Sequence, residues 1–247
     1  RIVTILENRY YDFKGLNLTY ETLDGLLKHN GPIKNKKKYF QILGKKFFNN
    51  KINLLSSPSL EAQIASISDD IAYNSHDLED GLKSNLFKLE DLKNIPILNR
   101  IILKHKKKIN RFSLDIIIRQ IIREMINEMV KDLILTTKKN IKKNNLKKIN
   151  DVYKSKYPIV DFSQKMKEFD KKIKSFLKKK MYYHKSVKSN TKEGKQIVKK
   201  LFFTIKTKPF KHINVSKYNI SDIERTICDF IAGMTDRYAI NLYNKLK

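Results

Sequence analysis

One segment of the sequence combines carboxylates with an absence of cationic side chains. Residues 52–82 contain no Lys or Arg, although 53 of the 247 residues are Lys or Arg. The acidic and imidazole side chains of this segment are Glu61, Asp69, Asp70, His76, Asp77, Glu79 and Asp80. Hard divalent cations bind carboxylate oxygens, and a nearby ammonium group competes with them. The segment is therefore a candidate wall of a divalent metal site, although a solvated acidic helix face has the same composition.

The spacing of apolar residues predicts that this segment is a helix. Ser57 is a candidate N-cap, and Pro58 suits the first helical position. The apolar residues that recur at helical spacing are Leu60, Ile64, Ile67, Ile71 and Leu78. At about 100° per residue, a second group projects from the opposite side. Its members are Asp69, Tyr73, His76, Asp77 and Asp80. Carboxylates, a phenol and an imidazole thus share one helix face.

Helical patterns continue along the rest of the chain. Thr19 and Thr22 are candidate caps for a helix over 19–29, and Ser113 is a candidate cap for a long helix. Further helices are predicted over 163–182, 192–206 and 221–246. Strand-like alternation is weak and confined to 201–205 and 213–215. The sequence therefore predicts an all-α fold without internal repeats.

The net charge of +28 raises the possibility of a nucleic-acid-binding protein, because clustered cations release counterions from phosphate backbones. Only 8 of the 53 basic residues are Arg, however, which leaves 53 − 8 = 45 Lys. Specific phosphate recognition usually favours the bidentate guanidinium group. A lysine-rich helical nucleic-acid binder therefore stays open as an alternative.

Other features of the sequence indicate the cellular location of the protein and whether the chain is part of a longer one. No apolar run reaches the roughly 18 residues of a membrane span, and no signal peptide is recognisable, so we expect a cytoplasmic protein without membrane contact. The one cysteine, Cys228, cannot form an internal disulfide and is expected to be buried. The chain begins at Arg1 and continues directly into apolar residues. We interpret it as a piece of a longer protein.

Several stretches, in order along almost the whole chain, resemble the bacterial deoxyguanosinetriphosphate triphosphohydrolase-like proteins of the HD-domain phosphohydrolase superfamily. The matching stretches are RIVTILENRY, GLNLTYETLDGLLKHNGP, SLEAQIASISDDIAYNSHDLEDGL, PIVDFS, MYYHKSV and DFIAGMTDRYA. The resemblance implies a helical HD-domain-type bundle that is incomplete at its N-terminus. It also implies that residues 1–110 form part of the HD-type core. Residues 111–247 would form a helical region that completes the substrate pocket.

The resemblance further implies hydrolysis of a deoxynucleoside triphosphate, such as dGTP, to deoxynucleoside and tripolyphosphate. In this superfamily a divalent metal ion of the Mg²⁺ or Mn²⁺ type activates the water that attacks the α-phosphorus. By this match, Asp69 is a metal ligand, Tyr73 contacts a phosphate of the substrate, and Asp77 binds the sugar 3′-hydroxyl. It places Tyr182 against the deoxyribose and His184 near the substrate. Lys28 and His29 match the KHNG stretch of the family, but the sequence assigns them no chemical role. Many such enzymes are homo-oligomers, so an oligomer is expected.

The chain also departs from the family pattern. The first metal-binding His and the His-Asp pair are expected before the segment where this chain begins, and His76-Asp77 lies in the wrong segment to be that pair. Asp69 alone does not supply enough ligands to hold a divalent metal ion tightly. We therefore place no catalytic residue within this chain and expect it to be inactive alone. A non-catalytic subunit that binds nucleotides is a further alternative.

Overall fold

A computed structural model describes residues 1–35, 39, 52–108, 111–213 and 222–246. Every regular element in these ranges is a helix or a helical turn, which confirms the predicted all-α fold. The chain forms two compact units, Arg1–Met181 and Tyr182–Lys247. The domain regions 1–110 and 111–247 that the resemblance implies stay a prediction.

The first unit contains six α-helices within the described ranges, joined by short turns. The helices are α1 (Tyr20–Leu27), α2 (Leu60–Lys83), α3 (Pro96–His105), α4 (Leu114–Lys143), α5 (Ile149–Tyr153) and α6 (Gln164–Leu177). The turns are π-helical over Ile2–Leu6 and Lys178–Tyr182, and 3₁₀-helical over Leu89–Leu92 and Lys106–Lys108. The predicted caps Thr19 of α1 and Ser113 of α4 are confirmed, because each accepts a hydrogen bond from the first turn of its helix.

Helix α2 begins later than predicted. Its N-cap is Ser59, whose hydroxyl accepts from the Ala62 N–H, so the prediction of Ser57 as the cap and Pro58 as the first helical residue is wrong. The reason lies outside the segment: the Ser57 N–H donates to the Tyr153 carbonyl at 3.1 Å. This long-range bond holds the chain beside α5 before the helix begins.

The buried face of α2 is more polar than the predicted stripe. Ile71 and Leu78 are buried as expected, but Ile64 is exposed. Gln63, Asn74 and Ser75 are buried instead. The Asn74 amide donates to the Asp170 carboxylate of α6 at 3.1 Å, so part of the contact between α2 and α6 depends on a hydrogen bond rather than on apolar contact alone.

The extended segment 158–163 is attached to α2 and α4 through polar side chains. The Gln63 amide oxygen accepts from the N–H groups of Ile159 and Val160 at 2.8 and 3.0 Å. Asn140 of α4 donates to the Ile159 carbonyl at 2.9 Å. These bonds satisfy buried backbone groups that lie outside any helix.

The second unit contains four α-helices within the described ranges. They are α7 (Lys185–Thr207), α8 (Pro209–His212), α9 (Ile223–Ala232) and α10 (Asp236–Lys245). Its core is formed by Ile197, Leu201, Ile205, Ile213 and Ile227. Residues on α9 and α10, such as Phe230 and Leu242, pack against this core.

Three sequence-based expectations are corrected in the second unit. The predicted helix over 192–206 begins earlier, at Lys185, and the weak strand pattern over 201–205 lies inside it. The predicted terminal helix is two helices separated at Gly233, because Thr235 caps a new helix. Cys228 is exposed rather than buried. The pattern over 213–215 falls mostly outside the described residues.

Within the described part of the chain, no helix has the length and apolar character needed to cross a membrane.

Candidate functional site

Helix α2 presents the predicted polar residues on one side. Asp69, Tyr73, His76 and Asp80 are exposed and Asp77 is half-buried, whereas Ile71 and Leu78 are buried. Asp69, Tyr73 and Asp77 follow one another at intervals of four residues, which places them along the same face of the helix. The structure therefore places these three residues in a row along one face of α2.

Asp69 lies beside an imidazole from the turn that follows α1. The Asp69 Oδ2 atom is 3.6 Å from Nε2 of His29, and the two side chains are 68% and 44% exposed. Among the described residues, neither Lys nor Arg forms an ion pair with Asp69. The carboxylate is thus open to solvent and available to a cation.

The adjacent carboxylate, Asp70, has a different environment. Its Oδ2 atom accepts from Nζ of Lys174 on α6 at 3.0 Å, and the same ammonium is 2.8 Å from Asp170. Burial by itself lowers the pKa of Lys174, but the hydrogen bonds to Asp170 and Asp70 outweigh it and raise that pKa above its ordinary value. Lys174 is therefore charged at neutral pH and neutralises the side of α2 next to α6.

The absence of Lys and Arg from residues 52–82 therefore does not have the same explanation at every acidic residue of the segment. Part of the acidic segment is paired with lysines from outside it, as Asp70 is with Lys174, and Glu79 is paired with Lys83 at its end. These pairs match the alternative of a solvated acidic helix face. Asp69 differs from Asp70 and Glu79, because in the described structure its carboxylate faces the His29 imidazole rather than a lysine.

The donor set for a divalent metal is incomplete within the described residues. They contain no cluster of three or more His, Cys, Asp or Glu side chains that could hold a metal ion. Asp69 fits as one ligand, because its carboxylate oxygens are hard donors that are exposed and not committed to Lys or Arg. A divalent ion at Asp69 would need residues other than those described to complete a set of three such ligands.

Tyr182 and His184 lie in the second unit, where the chain passes from the π-helical turn into α7. His184 is the residue before the first turn of α7, and its Nδ1 atom is 2.7 Å from the Ser186 hydroxyl. Tyr182 lines a surface groove of about 550 Å³ together with lysines of α7, among them Lys188 and Lys192. An aromatic ring beside ammonium groups suits a phosphorylated ligand with an apolar part.

Sequence reasoning assigned no role to two residues that the structure places at Asp69. His29 is one, and the other is Ser66, whose hydroxyl donates to the His29 carbonyl at 2.7 Å. The stretch HNG after α1 marks a turn, but its contact with α2 is a tertiary interaction that spacing along the chain does not reveal.

A family model named Phosphohydrolase-associated domain matches residues 160–245. The chain is also similar along almost its entire length to curated proteins that share one name, deoxyguanosinetriphosphate triphosphohydrolase-like protein. The relative from Pelagibacter ubique is 51% identical over 98% of this chain and 65% of its own length. The relative from Neorickettsia sennetsu is 37% identical over 97% of this chain and 63% of its own length. The chain thus spans slightly less than two thirds of these relatives.

Proposed function

We propose that this chain, which is similar along almost its whole length to proteins named deoxyguanosinetriphosphate triphosphohydrolase-like protein, forms part of an enzyme that hydrolyses a deoxynucleoside triphosphate to deoxynucleoside and tripolyphosphate. The observation that carries the proposal is Asp69, an exposed carboxylate that Tyr73 and Asp77 follow along one face of α2. The bond that breaks joins the α-phosphorus to the 5′-oxygen, which leaves as the sugar hydroxyl while water supplies the new oxygen on phosphorus.

Each site residue has a role that its chemistry suits. Asp69 holds a divalent ion of the Mg²⁺ or Mn²⁺ type. Tyr73 donates its phenol hydroxyl to a phosphate oxygen, and Asp77 accepts a hydrogen bond from the sugar 3′-hydroxyl. Tyr182 packs on the deoxyribose, and His184 lies near the substrate. When bound, the metal lowers the pKa of a water molecule that it coordinates.

The isolated chain of 247 residues lacks this activity in our proposal, because the described residues supply one metal ligand. The remaining ligands belong to the longer protein. Its deoxynucleoside triphosphate substrate, its assembly as a homo-oligomer and its cytoplasmic location are proposed from the family alone.

The test uses the whole protein from which the chain comes. Incubation with dGTP and Mn²⁺, followed by chromatography, is expected to yield deoxyguanosine and tripolyphosphate in equal amounts. Asp69→Asn is expected to abolish turnover, whereas Asp80→Asn, which removes the same charge from the same helix, is expected to preserve it. Release of dGMP with pyrophosphate, or full turnover by the Asp69→Asn variant, would contradict the proposal.

The alternatives predict different results in the same experiment. A non-catalytic nucleotide-binding subunit binds dGTP without releasing either product. A lysine-rich nucleic-acid binder releases neither product from dGTP, and its binding to an oligonucleotide weakens steeply with salt and survives Asp69→Asn.

A further inference from the structure

The turn after α1 is held against α2 at the position of Asp69. The His29 carbonyl accepts from the Ser66 hydroxyl at 2.7 Å, and Ser66 lies three residues before Asp69 on α2. The His29 imidazole is thereby placed with Nε2 at 3.6 Å from Asp69 Oδ2. The contact joins two elements that are far apart in sequence.

Buried contacts on α1 fix the position of this turn. Lys28 is 1% exposed, and its ammonium lies 2.7 Å from Asp24 and 2.8 Å from the Ser56 hydroxyl. A buried ammonium with these partners holds the last turn of α1 firmly, because losing a partner would leave an uncompensated buried charge. His29, the next residue, therefore has little freedom in its backbone.

One glycine allows α1 to approach α2 closely, and a second allows the turn after α1 to form. A Cβ atom on Gly25 would lie 3.2 Å from the Ala62 Cβ of α2, which is tighter than ordinary contact. Gly31 has a φ of +92°, a conformation that L side chains rarely adopt, and its N–H donates to the Lys28 carbonyl at 2.8 Å. The turn that carries His29 thus has one of these glycines before it and the other after it in the sequence.

Metal-binding carboxylates commonly hold the ion with one oxygen while the other accepts a hydrogen bond from a neighbouring group, and loss of that neighbour weakens metal binding. The Oδ2 atom of Asp69 faces an imidazole that can donate an N–H. The separation of 3.6 Å exceeds a hydrogen bond, but both side chains are exposed, so rotation of either one can bring the two atoms within hydrogen-bond distance.

We propose that His29 is a positioning residue for Asp69: its Nε2–H donates to one carboxylate oxygen and leaves the other directed at the divalent ion. This inference rests on the proposed function of Asp69 as a metal ligand. It adds a residue of the turn after α1 to the site on α2.

The test measures Mn²⁺ affinity of the whole protein from the paramagnetic signal of free Mn²⁺, together with kcat and KM for dGTP. His29→Ala is expected to raise the Kd for Mn²⁺ by about tenfold or more and to lower kcat with KM unchanged. His29→Gln, which keeps an N–H donor of similar reach, is expected to restore most of the affinity. His212→Ala, which removes an imidazole at the end of α8, is the control and is expected to leave the Kd unchanged.

The outcomes separate this inference from the proposed function. If Asp69→Asn loses Mn²⁺ binding but His29→Ala binds it as tightly as the wild type, the positioning role is wrong and the proposed function stands. If both His29 variants raise only KM, His29 contacts substrate and the positioning role is again wrong. If Asp69→Asn retains the wild-type affinity, the metal role of Asp69 is wrong and the inference falls with it.

Discussion

At the scale of single residues, Asp69 and Asp70 show how position on a helix decides chemistry. The two are adjacent and identical in type, but a rotation of about 100° directs them to different neighbours. Asp70 is bound to Lys174 of α6, and Asp69 faces the His29 imidazole. Both carboxylates are visible in the sequence, but only the tertiary structure shows that Asp70 is paired with a lysine and that Asp69 is not.

A residue-scale prediction concerns the choice between deoxyribose and ribose. If Tyr182 packs where a 2′-hydroxyl would lie, Tyr182→Ala is expected to reduce the preference of the whole enzyme for dGTP over GTP by tenfold or more, on the order of 1.4 kcal/mol. The measurement is the ratio of kcat/KM for the two nucleotides.

The adjacent Tyr183 supplies the control for this prediction. It is exposed, and the Lys188 ammonium lies 4.6 Å from its ring centroid. Tyr183→Ala removes a phenol next to Tyr182 and is expected to leave the ratio unchanged. An unchanged ratio in Tyr182→Ala would show that the tyrosine has no part in sugar selection.

At the scale of elements, the helix that carries the site depends on buried polar contacts. Gln63 of α2 donates to the Pro58 carbonyl at 2.9 Å and accepts from two N–H groups of the segment 158–163. Buried amides without partners are costly. A single side chain therefore joins the start of α2 to the extended segment before α6.

Replacing Gln63 with Met tests this contact, because Met has similar size and no amide. We expect Gln63→Met to lower the free energy of unfolding by about 2 kcal/mol or more, since several buried backbone groups lose their partners. Urea unfolding measures the change. Gln164→Met, at an exposed position in the first turn of α6, is expected to change stability by less than about 0.5 kcal/mol. Equal effects of the two variants would contradict the role of Gln63.

A second element-scale prediction concerns the pairing of α3 with α4. Hydrogen bonds from Lys104 and then His105 hold the pKa of Glu124 below its ordinary value. A carboxyl group with a lowered pKa in the folded state stabilises that state above its unfolded pKa of about 4.3, and the contribution is lost as the pH falls through the folded pKa. Stability from this contact is therefore present at neutral pH and fades in acid.

Glu124→Gln is accordingly expected to destabilise the protein by about 1 kcal/mol at pH 7 and by much less at pH 3. Urea unfolding at both pH values measures this difference. Glu128→Gln is the matched control, since Glu128 lies one turn further along α4 and pairs with the exposed Arg100. It is expected to have an effect below about 1 kcal/mol at either pH. A destabilisation by Glu124→Gln that does not change with pH would contradict the assignment.

Much of the helical structure was predictable, because it depends on local patterns. The caps Thr19 and Ser113 and the exposed side of α2 follow from spacing along the chain. The start of α2 did not follow, because the bond from Ser57 to Tyr153 is long-range. The contact between His29 and Asp69 was missed for the same reason. The roles of the site residues came from the family resemblance and stay predictions.

At the scale of the whole molecule, the net charge of +28 dominates the electrostatics. Most of this charge is lysine, which binds phosphate as a point charge rather than through a bidentate fork. Nonspecific attraction to polyanions follows from such a surface without any dedicated nucleic-acid site.

We expect the protein to bind two unrelated DNA duplexes of equal length with equal affinity at low salt. The affinity is expected to fall steeply with salt, with a slope of several units on a log-log plot, because the binding depends on counterion release. Fluorescence anisotropy over a salt series measures both quantities, and Asp69→Asn serves as a control that leaves them unchanged. A clear preference for one sequence at physiological salt would instead indicate a specific nucleic-acid function.

The position of the metal in crystals of the whole protein grown with Mn²⁺ decides whether Asp69 is a metal ligand. Anomalous diffraction at the manganese edge locates the ion independently of any kinetic assay. We expect an anomalous peak at about 2 Å from a carboxylate oxygen of Asp69. A peak bound by other residues, with Asp69 out of reach, would contradict it.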